Sequence, residues 1–77
     1  MTNTHELKVI MYDRKITIKK LAEIIGVSTT TLSYKINNDR EFTSSEIVSI
    51  QKALNLSNEQ RNMIFFADNV DLKSTSN

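Results

Sequence analysis

The stretch TIKKLAEIIGVSTTTLSYKIN, residues 17–37, decides the fold of this 77-residue chain. It predicts two short helices that are joined by a tight turn. Leu21, Ile24 and Ile25 have the spacing of an apolar stripe along the first helix. Gly26 follows, and glycine ends a helix in the left-handed conformation without steric cost. The chain therefore turns sharply after residue 25.

The second helix of this stretch has an apolar face and a polar face. Ser28 can cap it, and Leu32 and Ile36, four residues apart, form its inner face. Its outer face carries hydrogen-bonding side chains, namely Thr29, Thr30, Ser33, Tyr34 and Asn37. A helix of this kind after a glycine turn is what a helix-turn-helix lays in the major groove of DNA.

This pattern resembles the helix-turn-helix of the Cro and lambda-repressor-like family of phage and bacterial regulators. The residues that carry the resemblance are Leu21-Ala22, Ile25-Gly26-Val27, Ser28, Leu32-Ser33 and Ile36-Asn37. A weaker continuation runs through Phe42-Thr43, Glu46-Ile47, Ile50 and Ala53-Leu54, and the whole covers residues 5–67. The resemblance implies a transcriptional regulator that binds double-stranded DNA.

The resemblance also implies roles for individual residues. Positions that reach bases in the family correspond here to Ser28, Thr29, Thr30, Ser33 and Tyr34. In the family, the loop after the helix at residues 28–36 passes along the DNA backbone. Basic residues also begin the helix that precedes the glycine turn. Phosphate contacts are therefore expected from Thr17, Lys19, Lys20, Asn37, Asn38 and Arg40. Lysines in a first helical turn oppose the helix dipole, which favours a second role for them.

The remainder of the chain predicts an all-α protein, a small five-helix bundle with the helix-turn-helix at helices two and three. The chain has one glycine and no proline, and no stretch has the alternation of a half-buried strand. A first helix is expected at residues 5–13 after a cap at Thr4. Capping boxes at residues 43–46 and 57–60 predict two more helices, at 44–54 and 58–67.

The length predicts one domain, over residues 1–72, followed by a disordered polar tail at residues 73–77. The expected core is Leu21, Ala22, Ile25, Val27, Leu32, Ile36, Ile47, Ile50 and Leu54. The net charge is only +1, but six basic and two acidic residues lie between Arg14 and Arg40. This excess favours a phosphate-binding surface around the helix-turn-helix, and an unevenly charged solvated surface is the alternative.

The residue types argue against most other functions. Without cysteine the chain has no disulfide or thiolate metal site, and its single histidine, His5, has no partner ligand. One glycine leaves no phosphate-cradling loop, and a nucleophile–base pair lacks material. We therefore expect no enzyme, cofactor, metal or small-molecule substrate. The absence of a long apolar segment predicts a cytoplasmic location without membrane association, and the family resemblance implies a bacterial cell or phage-infected host.

Two functions stay open at this point. The first is a sequence-specific regulator that binds operator DNA as a dimer, with a recognition helix at residues 28–36. The second is an antirepressor-type module that docks on another regulator protein through the same fold. The second is favoured by the low net charge and by the lack of arginine or glutamine on the recognition helix. In either case the apolar run at residues 63–67 exceeds one core face. The expected self-association residues are Phe65, Phe66 and Val70.

Overall fold

The computed structural model describes residues 1–66, and within them the chain forms five α-helices and no strand. The helices are α1 (Thr4–Asp13), α2 (Ile18–Ile25), α3 (Thr29–Ile36), α4 (Ser44–Leu54) and α5 (Asn58–Phe65). The predicted all-α bundle, with its helix-turn-helix at helices two and three, is confirmed. The predicted domain end at residue 72 and the predicted tail at residues 73–77 lie outside the described residues.

Side-chain caps fix where the helices begin. The predicted caps of α3 to α5 are confirmed, and they are Ser28, Thr43 and Ser57. Thr17 caps α2 in the same way. The predicted cap of α1 is wrong, because Asn3 rather than Thr4 accepts the backbone N–H of Glu6. The hydroxyl of Thr4 instead donates to the backbone oxygen of Ile36. That bond joins α1 to the end of α3, which local spacing cannot reveal.

The turn between α2 and α3 has the predicted left-handed glycine. Gly26 has a φ angle of 79°, and its N–H donates to the backbone oxygen of Ala22 over 2.9 Å. The N–H of Val27 donates to the same oxygen over 3.0 Å. A Cβ atom at position 26 would meet nothing within 4 Å. The backbone angle, rather than lack of space, therefore favours glycine here.

Apolar side chains from all five helices form one core. Its buried members are Leu7, Ile10, Met11, Leu21, Ala22, Leu32, Ile36, Ile50, Leu54, Leu56, Ile64 and Phe65. Three predicted core residues, Ile25, Val27 and Ile47, are partly buried and pack against it. Ile24 was expected on the apolar stripe of α2, but it is 46% exposed. Because α2 packs against both α3 and α4, this core holds the two helices of the helix-turn-helix against the rest of the bundle.

The end of α5 differs from the sequence prediction. This helix ends at Phe65 rather than near residue 67. The ring of Phe65 is buried and lies edge-on to the ring of Phe42, with 5.3 Å between centroids. Phe65 thus packs inside the bundle against Phe42, in the chain that leads into α4, and its role in self-association stays a prediction. Phe66 stays 39% exposed, and Val70 lies outside the described residues.

Candidate nucleic-acid interface

The polar face of α3 is open to solvent. Leu32 and Ile36 are buried on its other side, whereas Thr29 and Thr30 are exposed and Ser33 is partly exposed. Within residues 1–66 the hydroxyls of these three polar residues form no hydrogen bond. They can therefore donate to or accept from a ligand without any rearrangement of the fold. This is the state required of groups that contact base edges.

Tyr34 extends the same polar face toward the end of α3. It is four residues after Thr30, so the two side chains lie on one side of the helix. The tyrosine is 43% exposed. A large ring at a solvated helix surface has apolar area available for a ligand, together with a hydroxyl that can bond to it.

Ser28 has a different position from the other predicted base contacts. Its hydroxyl oxygen accepts the backbone N–H of Thr31 over 3.0 Å, which caps α3. The same hydroxyl donates its proton to the Oγ1 atom of Thr31 over 2.9 Å. Both bonds serve the start of the helix. A contact from Ser28 to a base would have to replace the second bond.

A buried ion pair fixes α3 against α4, and sequence reasoning missed it. The Nζ atom of Lys35 donates to both carboxylate oxygens of Glu46, over 2.6 and 2.7 Å. The two side chains are only 10% and 13% exposed. Burial by itself raises the pKa of Glu46, but the bonds from Lys35 and from the backbone N–H of Thr43 outweigh it and leave the pKa below its ordinary value. The Glu46 carboxyl group is therefore ionised at neutral pH.

Fewer basic residues are available for DNA than the sequence count indicates. The Nε atom of Arg14 donates to the backbone oxygen of Leu54 over 2.9 Å, at the end of α4, and its guanidinium also pairs with Asp13. Lys35 is committed to its buried pair. The four remaining basic residues between positions 14 and 40 are exposed, and they are Lys15, Lys19, Lys20 and Arg40.

The first turn of α2 presents positive charge. Lys19 and Lys20 are exposed, and this turn has no acidic residue. The hydroxyl of Thr17, which is also exposed, accepts the N–H of Lys20 over 3.1 Å and retains its own proton for donation. A helix N-terminus with two lysines and a hydroxyl donor is suited to an anionic group such as a phosphate.

The loop after α3 is anchored to the start of the chain by Asn38. Its Oδ1 atom accepts the backbone N–H of Thr2 over 2.7 Å, and its Nδ2 atom donates to the backbone oxygen of Thr2 over 2.9 Å. A longer contact joins Nδ2 to the hydroxyl of Thr4. The amide that we expected at phosphate is thus already bonded within the fold. Its neighbour Asn37 is exposed.

Arg40 joins the two groups of predicted contacts. Its guanidinium lies over the ring of Tyr34, with 5.2 Å from Cζ to the ring centroid. A predicted phosphate residue of the loop therefore touches a predicted base-reading residue of α3. Sequence reasoning missed this contact. The loop is long enough for the chain to return toward the helix, but its sequence does not show which side chains then meet.

Two other kinds of site, a metal site and a membrane-spanning helix, are absent from the described residues. Residues 1–66 contain no group of three His, Cys, Asp or Glu side chains that could bind a metal ion. None of the helices in that range has both the length and the apolar character needed to cross a membrane.

The sequence comparison agrees with the geometry. A family model described as the Cro/C1-type HTH DNA-binding domain matches residues 6–60, which is most of the chain. No curated protein and no solved structure gives a significant match. The matched range contains α2, the glycine turn, α3 and α4, and these have the arrangement of a helix-turn-helix. The chain therefore belongs to the family of Cro/C1-type helix-turn-helix DNA-binding domains.

Proposed function

We propose that this protein is a sequence-specific transcriptional regulator of the phage Cro or repressor type, and that it lays α3 in the major groove of an operator. The observation that carries the proposal is the free polar face of α3. Thr29, Thr30 and Ser33 have unbonded hydroxyls on a helix whose opposite side is locked into the core. Hydroxyls contact several base types, and threonine methyl groups can meet the methyl group of thymine.

Phosphate contacts would come from both sides of α3. On one side Lys19 and Lys20 begin α2, next to the donor Thr17. On the other side Asn37 is free, whereas Asn38 holds the loop in place through its bonds to the N-terminal residues. Contacts of this kind fix the position of a protein on DNA without reading its sequence. They account for the placement of lysines where the helix dipole disfavours them.

A dimer would fit an operator of two half-sites, about 34 Å apart. The surface available for a second copy includes Phe66, which is 39% exposed, and Val48, which is 48% exposed. Both line a groove of about 220 Å³ between α4 and α5, together with Arg61. We propose this groove as the self-association surface. Sedimentation of a Phe66→Ser variant tests it, and an unchanged association constant would contradict it.

The DNA-binding proposal is tested by selection from a random duplex library, followed by fluorescence anisotropy at several salt concentrations. We expect enrichment of one sequence, bound about 10³-fold or more tightly than random duplex. Thr30→Ala and Ser33→Ala should weaken that sequence and leave random DNA nearly unchanged. Lys19→Ala and Lys20→Ala should weaken both about equally, and each should flatten the plot of log affinity against log salt by about 0.9.

The matched control is Lys52→Ala, which removes an exposed lysine of α4 outside the helix-turn-helix. It should change neither the affinity nor the salt slope by a comparable amount. If no duplex is enriched, the proposal of a sequence-specific regulator fails. The neutral outer face of α3 and the exposed side chains of Val48 and Phe66 would then favour docking on another regulator protein.

A further inference from the structure

The loop after α3 folds back onto the helix that it leaves. The N–H of Asp39 donates to the backbone oxygen of Tyr34 over 2.8 Å, and that of Asn38 donates to the oxygen of Lys35. Asn38 has a φ angle of 68°, a left-handed conformation that asparagine adopts more readily than most residues. These backbone bonds return the chain toward the outer face of α3, so that residue 40 comes to lie beside Tyr34.

The loop is held from a second direction as well. The amide of Asn38 bonds to both backbone groups of Thr2, whose neighbour Asn3 donates its own N–H to the oxygen of Ile64 in α5 over 2.6 Å. The start of the chain thus links the loop after α3 to helix α5. A loop anchored in this way presents its side chains in a fixed place, and binding then requires less ordering.

Arg40 differs from the other two arginines of the sequence. The guanidinium of Arg14 bonds to the end of α4, and that of Arg61 bonds to Gln51 and Asn62. Within residues 1–66, Arg40 forms neither an ion pair nor a hydrogen bond, and its one contact of note is the face of the Tyr34 ring. All five of its N–H donors are therefore available, in a plane whose position the ring helps to set.

From this geometry we propose that Arg40 and Tyr34 act together as a base-reading pair, with the Arg40 guanidinium bonding to O6 and N7 of a guanine in the major groove. The inference rests on the proposed DNA-binding function and goes beyond it, because it moves Arg40 from the phosphate contacts to the specificity-determining ones. It also provides the bidentate donor that the residues of α3 lack.

Two features favour a base over a phosphate. The guanidinium lies over Tyr34, one helical turn after Thr30 on the face that would enter the groove, rather than at the first turn of α2 where the lysines lie. In addition, a planar fork held on a ring adds directional hydrogen bonding, whereas a flexible lysine suffices for a phosphate as a point charge. Guanine, with two adjacent acceptors, is the base edge that matches such a fork.

The test is selection from a random duplex library with the wild type and with Arg40→Ala, Arg40→Lys, Tyr34→Phe and Tyr34→Leu. The wild type should enrich a motif that contains a guanine. For Arg40→Ala and Tyr34→Leu, preference at that guanine should be lost while the other positions of the motif stay. The affinity for the motif should fall about 5- to 150-fold, the range for a good bidentate contact, with the affinity for random DNA nearly unchanged.

The conservative variants separate the effect of the Tyr34 ring from that of its hydroxyl, and the effect of the Arg40 charge from that of its planar fork. Tyr34→Phe keeps the ring and should retain the guanine preference, whereas Arg40→Lys keeps the charge but loses the fork and should behave like Arg40→Ala. Lys52→Ala is the control, because it removes an exposed cation of α4 that lies outside both the helix-turn-helix and the proposed self-association groove, and the motif should be unchanged.

Each contrary outcome has its own meaning. If Arg40→Ala weakens the motif and random DNA equally and flattens the salt plot by about 0.9, Arg40 contacts phosphate and the inference is overturned. If its removal changes nothing while the wild type still enriches a motif, the inference is overturned and the proposed function stands. If the wild type enriches no motif, the proposed function itself fails.

Discussion

Replacement of Lys35 by methionine should destabilise the domain strongly. Methionine keeps the length and the apolar stem of the side chain but removes the ammonium group from Glu46. The carboxylate would then be 87% covered without its principal partner, since its exposed fraction is 13%. Removal of one member of a buried ion pair typically costs about 3–5 kcal/mol. The total stability of a domain of this size is itself about 4–12 kcal/mol.

The partner variant has a smaller expected effect. Glu46→Gln keeps an oxygen that can accept the N–H of Thr43, so the capping box at the start of α4 is preserved. It removes the negative charge opposite Lys35, and the loss of a hydrogen bond to a charged group costs about 1.5–3 kcal/mol. The helix start is therefore unchanged, and the variant reports on the charge.

The double variant distinguishes a buried pair from a surface contact. Lys35→Met with Glu46→Gln leaves no buried charge, so it should be more stable than Lys35→Met alone, although Glu46→Gln destabilises the wild type. Urea unfolding followed by circular dichroism at pH 7 gives the four free energies of this cycle. If Lys35→Met costs less than about 1 kcal/mol, or if Glu46→Gln destabilises it further, the pair does not anchor α3.

The same pair predicts the pH dependence of stability. The folded-state pKa of Glu46 lies below its ordinary value because its bonds to Lys35 and Thr43 outweigh the effect of burial. Its contribution is therefore complete above the ordinary glutamate pKa of about 4.3, and it is lost as the pH falls below that value through the folded-state pKa. The wild type should lose stability over this interval relative to Glu46→Gln. Parallel curves would contradict the reasoning.

Three further substitutions test the packing and the turns by urea unfolding. Leu32→Ala should cost about 2–5 kcal/mol of unfolding free energy, because this side chain is fully buried. Ile24→Ala should cost far less, because Ile24 is half-exposed. A loss below about 1 kcal/mol for Leu32→Ala would contradict its burial. Gly26→Ala should cost about 1–2 kcal/mol from its φ angle alone, and an unchanged midpoint would show that the turn relaxes. Asn38→Gly keeps a residue suited to positive φ but removes the amide bonds to the N-terminal residues, so it should destabilise the domain by at least about 1 kcal/mol. Asn55→Gly, at another left-handed position, is the control and should not.

Much of the fold could be predicted because its signals are local. The caps Thr17, Ser28, Thr43 and Ser57 act on backbone groups three residues away, and Gly26 acts on its own φ angle. Thr4 and Asn3 are both capping types in adjacent positions, and sequence spacing could not choose between them. The bond from Thr4 to Ile36, 32 residues away, shows a tertiary role that spacing cannot supply.

The candidate site was less predictable, because exposure and charge depend on distant partners. Helical spacing was enough to place Thr30 and Tyr34 on the outer face of α3. It could not show that Lys35, on the same helix, is paired with Glu46 eleven residues later, or that Arg14 bonds to Leu54 forty residues later. Neighbouring residues can also differ in burial, since Phe65 at the end of α5 is buried and Phe66 just after the helix is exposed.

These partners change how the charge of the chain bears on the proposed function. The count of basic residues around the helix-turn-helix includes Arg14 and Lys35, and both are used to hold α1 and α3 against α4. The charges left for DNA lie beside α3 rather than on it, at the first turn of α2 and in the loop that carries Arg40. Affinity for any duplex would then come from the flanks. Discrimination would come from the free hydroxyls of α3 and from the Arg40 guanidinium over the ring of Tyr34, so a net charge of +1 is compatible with selective binding.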